Sequence, residues 1–126
     1  MITYLDTNVA VWLAEGNRQR IGLAGRGRIE SDDLLLSPMV LMELEYLLEI
    51  QRILLPARDL LTKLAHEIGV RVCGLDFPSI VDAALDEKWT RDPFDRIIVA
   101  QAKANGLAWL VSADTEIQSH YPRTVW

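Results

Sequence analysis

Apolar positions along the chain fall into two alternating patterns. Short runs, Ile2-Thr3-Tyr4-Leu5, Leu34-Leu35-Leu36-Ser37, Val70-Arg71-Val72-Cys73 and Trp109-Leu110-Val111, are bounded by residues that favour turns. Their length and their borders predict strands. Between them lie segments with helical spacing. Val9 to Ala14 follows Asp6-Thr7-Asn8, three good N-capping residues; residues 38–55 open on Pro38 at the first helical position; and Ala57 to Glu67 ends before Gly69 at a C-cap. Helices are also predicted over residues 78–88, from Asp92-Pro93 to Ala104, and briefly around residues 115–119. Arg18 to Glu30 reads as a basic, weakly helical stretch interrupted by Gly22, Gly25 and Gly27, and Thr124-Val125-Trp126 as a last edge strand. Strands alternating with helices imply an α/β fold: a single α/β/α sandwich on a four- to five-stranded parallel sheet, one domain over residues 1–126.

Composition narrows the class. The single cysteine, Cys73, excludes a disulfide framework and a Cys-based zinc site and suits a reducing, cytoplasmic setting. Met1 leads directly into a strand with no basic secretory segment, and no apolar run reaches the ~18 residues of a membrane span, so no membrane association is expected. The formal charge is −5, and the acids are spread evenly: seven bases and nine acids in residues 1–63, six and nine in residues 64–126. No charged tail exists to bind a polyanion. Two divalent cations held by some of these acids would bring −5 to −1. The chemistry therefore depends on where the carboxylates converge.

Ligands of open parallel sheets bind beyond the carboxyl ends of the strands. Asp6 follows the first strand directly, and Asp114 follows Trp109–Val111 after two small residues. Either alone reads as an N-cap; together they mark one end of one sheet. On a helical wheel of residues 38–55, Met39, Val40, Leu47, Ile50 and Leu54 fall within about 60° of Glu43, so this acid lies on the apolar face while Glu45, Glu49 and Arg52 lie opposite. A carboxylate in such a stripe is protonated, paired or bound to a cation. Asp95 is surrounded in the same way by Ile98, Val99 and Ala102, whereas Asp92, just before Pro93, reads as the helix cap. Asp6, Glu43, Asp95 and Asp114 offer hard oxygen ligands suited to Mg²⁺ or Mn²⁺, ions that work on phosphoryl and phosphodiester groups.

The ordered set Leu5-Asp6-Thr7-Asn8, Ser37 with Glu43, Arg91-Asp92-Pro93-Phe94-Asp95-Arg96 before Ile97–Ala102, and Ser112-Ala113-Asp114 resembles the PIN domain, and within it the VapC-type toxins of toxin–antitoxin pairs, over essentially the whole chain. This resemblance implies a Mg²⁺- or Mn²⁺-dependent endoribonuclease with Asp6, Glu43, Asp95 and Asp114 as metal-binding catalytic acids. Thr7, Asn8, Ser112 and Asp92 would support them. It also implies a VapB-type antitoxin partner. Relatives often carry a histidine or basic residue shortly before the Asp-Pro pair, where this chain has Trp89-Thr90.

Arg91 and Arg96, beside the acids, are expected to contact RNA; Arg18, Arg20, Arg26 and Arg28 either track its backbone or are simply solvated. Trp12 and Trp109 are expected to pack in the core, and His66 and His120 are given no chemical role. Two other readings are weighed: a haloacid-dehalogenase-like phosphatase with Asp6 as nucleophile, against which Asn8 replaces the second acid and no lysine is well placed, and a silent module receiving an arginine-bearing peptide. Apolar residues beyond what one sheet can cover, Leu41, Leu48, Ile53 to Leu55 and the Leu60/Leu61/Leu64 stripe, predict a homodimer and a groove for an amphipathic antitoxin segment.

Overall fold

The computed structural model describes residues 1–126. Five strands, β1 (Ile2–Leu5), β2 (Asp33–Leu36), β3 (Arg71–Val72), β4 (Trp109–Val111) and β5 (Thr124–Val125), form one parallel sheet in the order β3-β2-β1-β4-β5. Seven helices connect them: α1 (Thr7–Ala14), α2 (Leu23–Ser31), α3 (Pro38–Glu49), α4 (Ala57–Ile68), α5 (Phe77–Ala84), α6 (Pro93–Ala104) and α7 (Thr115–His120). The core is built from Tyr4, Leu5, Leu36 and Leu110 of the sheet together with Val9, Leu44, Leu64, Ile98 and Ile117 of the helices, all buried. Burial on both sides explains why the run Leu34-Leu35-Leu36 in β2 does not alternate, whereas Val70-Arg71-Val72-Cys73, at the edge strand β3, does.

The chain runs outward from β1 to β2 and β3, then α5 and α6 carry it back across the sheet to β4. Strand order therefore reverses between β1 and β4, and a crevice opens beyond their carboxyl ends, where α/β sheets bind ligands. Leu5 stands beside Val111 in register, and the Asp6 amide donates to the Val111 carbonyl at 3.0 Å. Asp6 and Ser112 are thus set next to each other.

Several boundaries differ from the sequence reading, each for a local reason. The helix expected over residues 38–55 ends at Glu49, because Gln51 turns left-handed (φ 62°) and the Gln51 and Arg52 amides bond back to Leu48 and Leu47, closing the helix. Ile50 and Leu54 consequently leave the stripe around Glu43, and Leu54 is 95% exposed. The basic stretch 18–30 divides into a 3₁₀ turn at Arg18–Arg20 and α2, with Gly22 as its N-cap. Gly25 lets α2 lie against the sheet: a Cβ there would stand 2.8 Å from the Val111 side chain. The helix expected over residues 78–88 is α5, ending at Ala84, and only Arg71 and Val72 of the third apolar run are strand. Gly69 does close α4 in the left-handed region (φ 72°).

Candidate active site

Three helix starts and one helix face supply the acids. Asp6, at the end of β1, caps α1 and accepts the Thr7 amide at 2.8 Å. Asp114, after β4, caps α7, accepting the Glu116 amide at 2.8 Å and the Ile117 amide at 3.2 Å. Asp92 caps α6, with the Phe94 amide at 2.8 Å and the Asp95 amide at 3.3 Å. Capping and cleft lining are one placement here, since a parallel sheet with helices after its strands points helix N-termini at the crevice. Glu43 reaches it from α3, whose Val40 and Leu44 are buried in the core.

These residues line one cleft of about 280 Å³: Asp6, Thr7, Asn8, Glu43, Asp92, Asp95, Ala113 and Asp114. Five are acids and none is basic. Ser112, fully buried, donates to Asp6 at 2.6 Å and accepts the Asp114 amide at 3.1 Å, so one hydroxyl fixes two of the acids. Thr7 donates its hydroxyl to Glu43. The Ser37 hydroxyl, buried at the start of α3, donates to Gln101 of α6 at 2.7 Å, which holds the helix of Glu43 to the helix of Asp95. The Ser37–Gln101 pair was not assigned a role from the sequence; its signal is a lone amide in the otherwise apolar run Ile97–Ala102.

Electrostatics set the site apart from the rest of the surface. Burial pushes the Asp95 carboxyl up to about 7, with Asp92, Asp6, Asp114 and Glu43 adding repulsion. Burial also raises Asp6, against the Ser112 and Thr7 hydrogen bonds that favour its anion, and raises Glu43, against its Thr7 bond. Acids made costly by burial and by one another, in a cleft with no Lys, Arg or His, fit a divalent cation. No three acidic, histidine or cysteine side chains stand together so that they could hold one metal ion between them. An ion in this cleft would therefore be met by few carboxylates at once and keep several of its waters.

The two arginines expected beside the acids are not both available. Arg96 turns from the cleft: its guanidinium donates to the Ala84 carbonyl at 3.2 and 3.0 Å and to Leu85 at 3.2 Å, capping the end of α5. Arg91 is exposed, with one bond to the Lys88 carbonyl at 3.2 Å. Trp89, in the position of the expected basic residue, donates to buried Glu87 at 2.6 Å and stacks on His120 at 4.9 Å.

Comparison with known proteins agrees with this geometry. The chain is 37% identical to Ribonuclease VapC22 of Mycobacterium tuberculosis, over 97% of this chain and 96% of that protein. Its fold is similar to that of a chain in a toxin–antitoxin complex from Klebsiella pneumoniae (TM-score 0.67, 18% identity, 98% of this chain and 96% of the other). It is also similar to a chain of VapBC2 from Rickettsia felis bound to a promoter DNA fragment (TM-score 0.63, 16% identity, 99% and 96%). The model of the PIN domain matches residues 3–122, and the chain belongs to the PIN domain family.

Proposed function

We propose that this PIN domain is a VapC-type endoribonuclease, the toxin of a toxin–antitoxin pair, hydrolysing RNA phosphodiester bonds with Mg²⁺ or Mn²⁺. The observation that carries the reading is the convergence of Asp6, Glu43, Asp95 and Asp114 on one cleft without a basic residue, in a chain 37% identical along its length to a ribonuclease.

Those four acids would hold one or two ions; when bound, such an ion neutralises charge on the scissile phosphate and acidifies the attacking water. The remaining steps belong to the chain. Ser112 and the Thr7 amide donate to Asp6 and fix its carboxyl at the cleft, and Thr7 aims Glu43. Asp95, which burial and the neighbouring acids hold near 7 without a cation, lines the same cleft and would be drawn to its anion by a bound ion. Asp92 holds the first turn of α6, and Asn8 lines the entrance, where its amide can bond a phosphate or sugar oxygen. No histidine base is required. A phosphatase using Asp6 as nucleophile is not favoured, because no lysine lines the cleft to receive the phosphoryl group.

The partner would be a VapB-type antitoxin. Met42, Tyr46, Ile50, Leu54 and Leu55 remain exposed along α3 and the turn after it, and Leu41, Met42 and Ala57 line a groove between α3 and α4. An amphipathic segment seated there, with an Arg or Lys entering the acidic cleft, would displace the cation, and a second copy would cover further apolar surface in a homodimer. Incubating the protein with RNA and Mg²⁺ tests the activity: cleavage that stops with EDTA and returns with excess Mg²⁺ is expected, and cleavage indifferent to EDTA would overturn the metal-dependent reading.

A further inference from the structure

The loop between α5 and α6 ends in Asp92, which caps α6 and lines the cleft. Its course is fixed by contacts outside that cleft. Arg96 holds the start of the loop through the Ala84 and Leu85 carbonyls. Farther along, Glu87 is 4% exposed, and its two carboxylate oxygens serve different partners: Oε1 accepts from the ammonium of Lys103, near the far end of α6, and Oε2 accepts the Trp89 indole N–H at 2.6 Å. The Trp89 ring lies flat on the His120 imidazole, with centroids 4.9 Å apart and planes 8° from parallel. Thr90 then accepts the Asp92 amide at 3.1 Å.

A buried ion pair such as Glu87–Lys103 returns little net stability over apolar residues of the same volume. What it supplies here is direction. An apolar side chain at this position would pack without aiming anything, whereas the carboxylate sets the Trp89 indole in the orientation that lays its ring on His120. His120 is the last residue of α7, the helix that Asp114 caps. The stack therefore joins the segment leading into Asp92 to the helix that begins at Asp114. These two helix starts carry like charge into one cleft, where Asp92 and Asp114 each add repulsion at Asp6 and at Asp95. A contact that ties the loop to α7 opposes their separation.

We infer that Trp89, oriented by Glu87 and stacked on His120, is a positioning residue for the acidic cleft: it holds the Asp92 start of α6 and the Asp114 start of α7 in place for a divalent cation. The inference rests on the divalent-cation reading of that cleft and extends it. Trp89 is not among the residues that line the cleft; it acts through Asp92 and Asp114.

Three variants separate positioning from packing. Trp89→Ala removes the ring and its N–H, Trp89→Phe keeps a ring for His120, and His120→Ala removes the stack while leaving Glu87 both of its partners. His120 is exposed, so His120→Ala keeps the test alive should Trp89→Ala fail to fold. Amide hydrogen exchange in metal-free protein reads the two caps directly. The Phe94 amide, bonded to Asp92, and the Glu116 amide, bonded to Asp114, exchange about tenfold faster in both alanine variants, while amides within α3 and α4 keep parent rates. Mn²⁺ affinity, measured by calorimetry, falls about tenfold in the same two proteins, as is usual when a group that orients ligands is lost. Trp89→Phe recovers most of both. Ile29→Val, a core loss in α2, lowers the urea midpoint and leaves these two amides and Mn²⁺ affinity at parent values. Parent exchange rates at Phe94 and Glu116 in the alanine variants would overturn the inference, as would acceleration spread evenly over all helices, which marks a residue that only stabilises the fold. A parent that binds no Mn²⁺ would overturn the cation reading, and the exchange rates would still decide whether Trp89 holds the two caps.

Discussion

Ser112 and Asp6, 106 positions apart in sequence, share a buried hydrogen bond of 2.6 Å across the join between β4 and β1. The same hydroxyl oxygen accepts the Asp114 amide. Removing it frees two acids at once. Ser112→Ala is expected to keep the fold and lose about 10–100-fold in activity and divalent-cation affinity, the usual effect of removing a group that orients a ligand. Equal Mg²⁺ affinity in variant and parent would show that Asp6 is oriented without it.

The raised carboxyls give the protein without divalent cations a definite pH dependence. Folded Asp95 holds its proton to about 7, whereas its ordinary value is 3.8, so between these values the folded state keeps a proton that the unfolded chain has released. Stability therefore falls as pH rises through this window and levels off above it; Asp6 and Glu43, also raised, act with the same sign. Melting curves in EDTA from about pH 4 to pH 8 should show this decline. Asp95→Asn should flatten it, and Mg²⁺ should raise Tm more at the alkaline end. A Tm in EDTA that climbs steadily toward pH 8 would contradict the raised carboxyls.

Asp92 and Asp95 separate by what asparagine can replace. Asn still caps α6, accepting the Phe94 amide as Asp92 does, but it is a poor substitute for an anionic ligand. Asp92→Asn is expected to leave clearly more residual RNA cleavage than Asp95→Asn, with both proteins folded. Equal losses would mean that Asp92 is itself a ligand.

Two glycines of α2, two positions apart, should respond with opposite signs. Gly27 has open space where a Cβ would go, so Gly27→Ala gains about 0.5–1 kcal/mol of helix stability. Gly25→Ala sets a Cβ 2.8 Å from Val111 and 3.2 Å from Ile21, and overpacking of this kind costs about 1–3 kcal/mol. Urea unfolding of the two variants reads the difference directly.

How much of this could be read in the sequence follows from which signals are local. The βα rhythm, the caps at Asp6, Asp92 and Asp114 and the left-handed Gly69 are local, and the structure has them where their residues stand. Its apolar face singles out Glu43, which lines the cleft, although two residues of that stripe, Ile50 and Leu54, lie beyond a helix end set by Gln51, a residue with no glycine-like signature. The direction of Arg96 was not legible, because it depends on carbonyls of α5 twelve and eleven positions away. Nor was the stacking of Arg28 and Arg123 on Trp109, which exists only once β4, β5 and α2 are side by side.

Asp6, Glu43, Asp95 and Asp114 are expected to bind a divalent cation in the cleft they line. Calorimetric titration of Mn²⁺ into the parent and the four single variants Asp6→Asn, Glu43→Gln, Asp95→Asn and Asp114→Asn at neutral pH tests it most directly. Saturable binding by the parent is expected, accompanied by proton release because burial and the neighbouring acids hold the Asp95 carboxyl near 7, with binding weakened at least tenfold in every variant. Parent-like Mn²⁺ affinity across the four variants, or no binding by the parent, would contradict it.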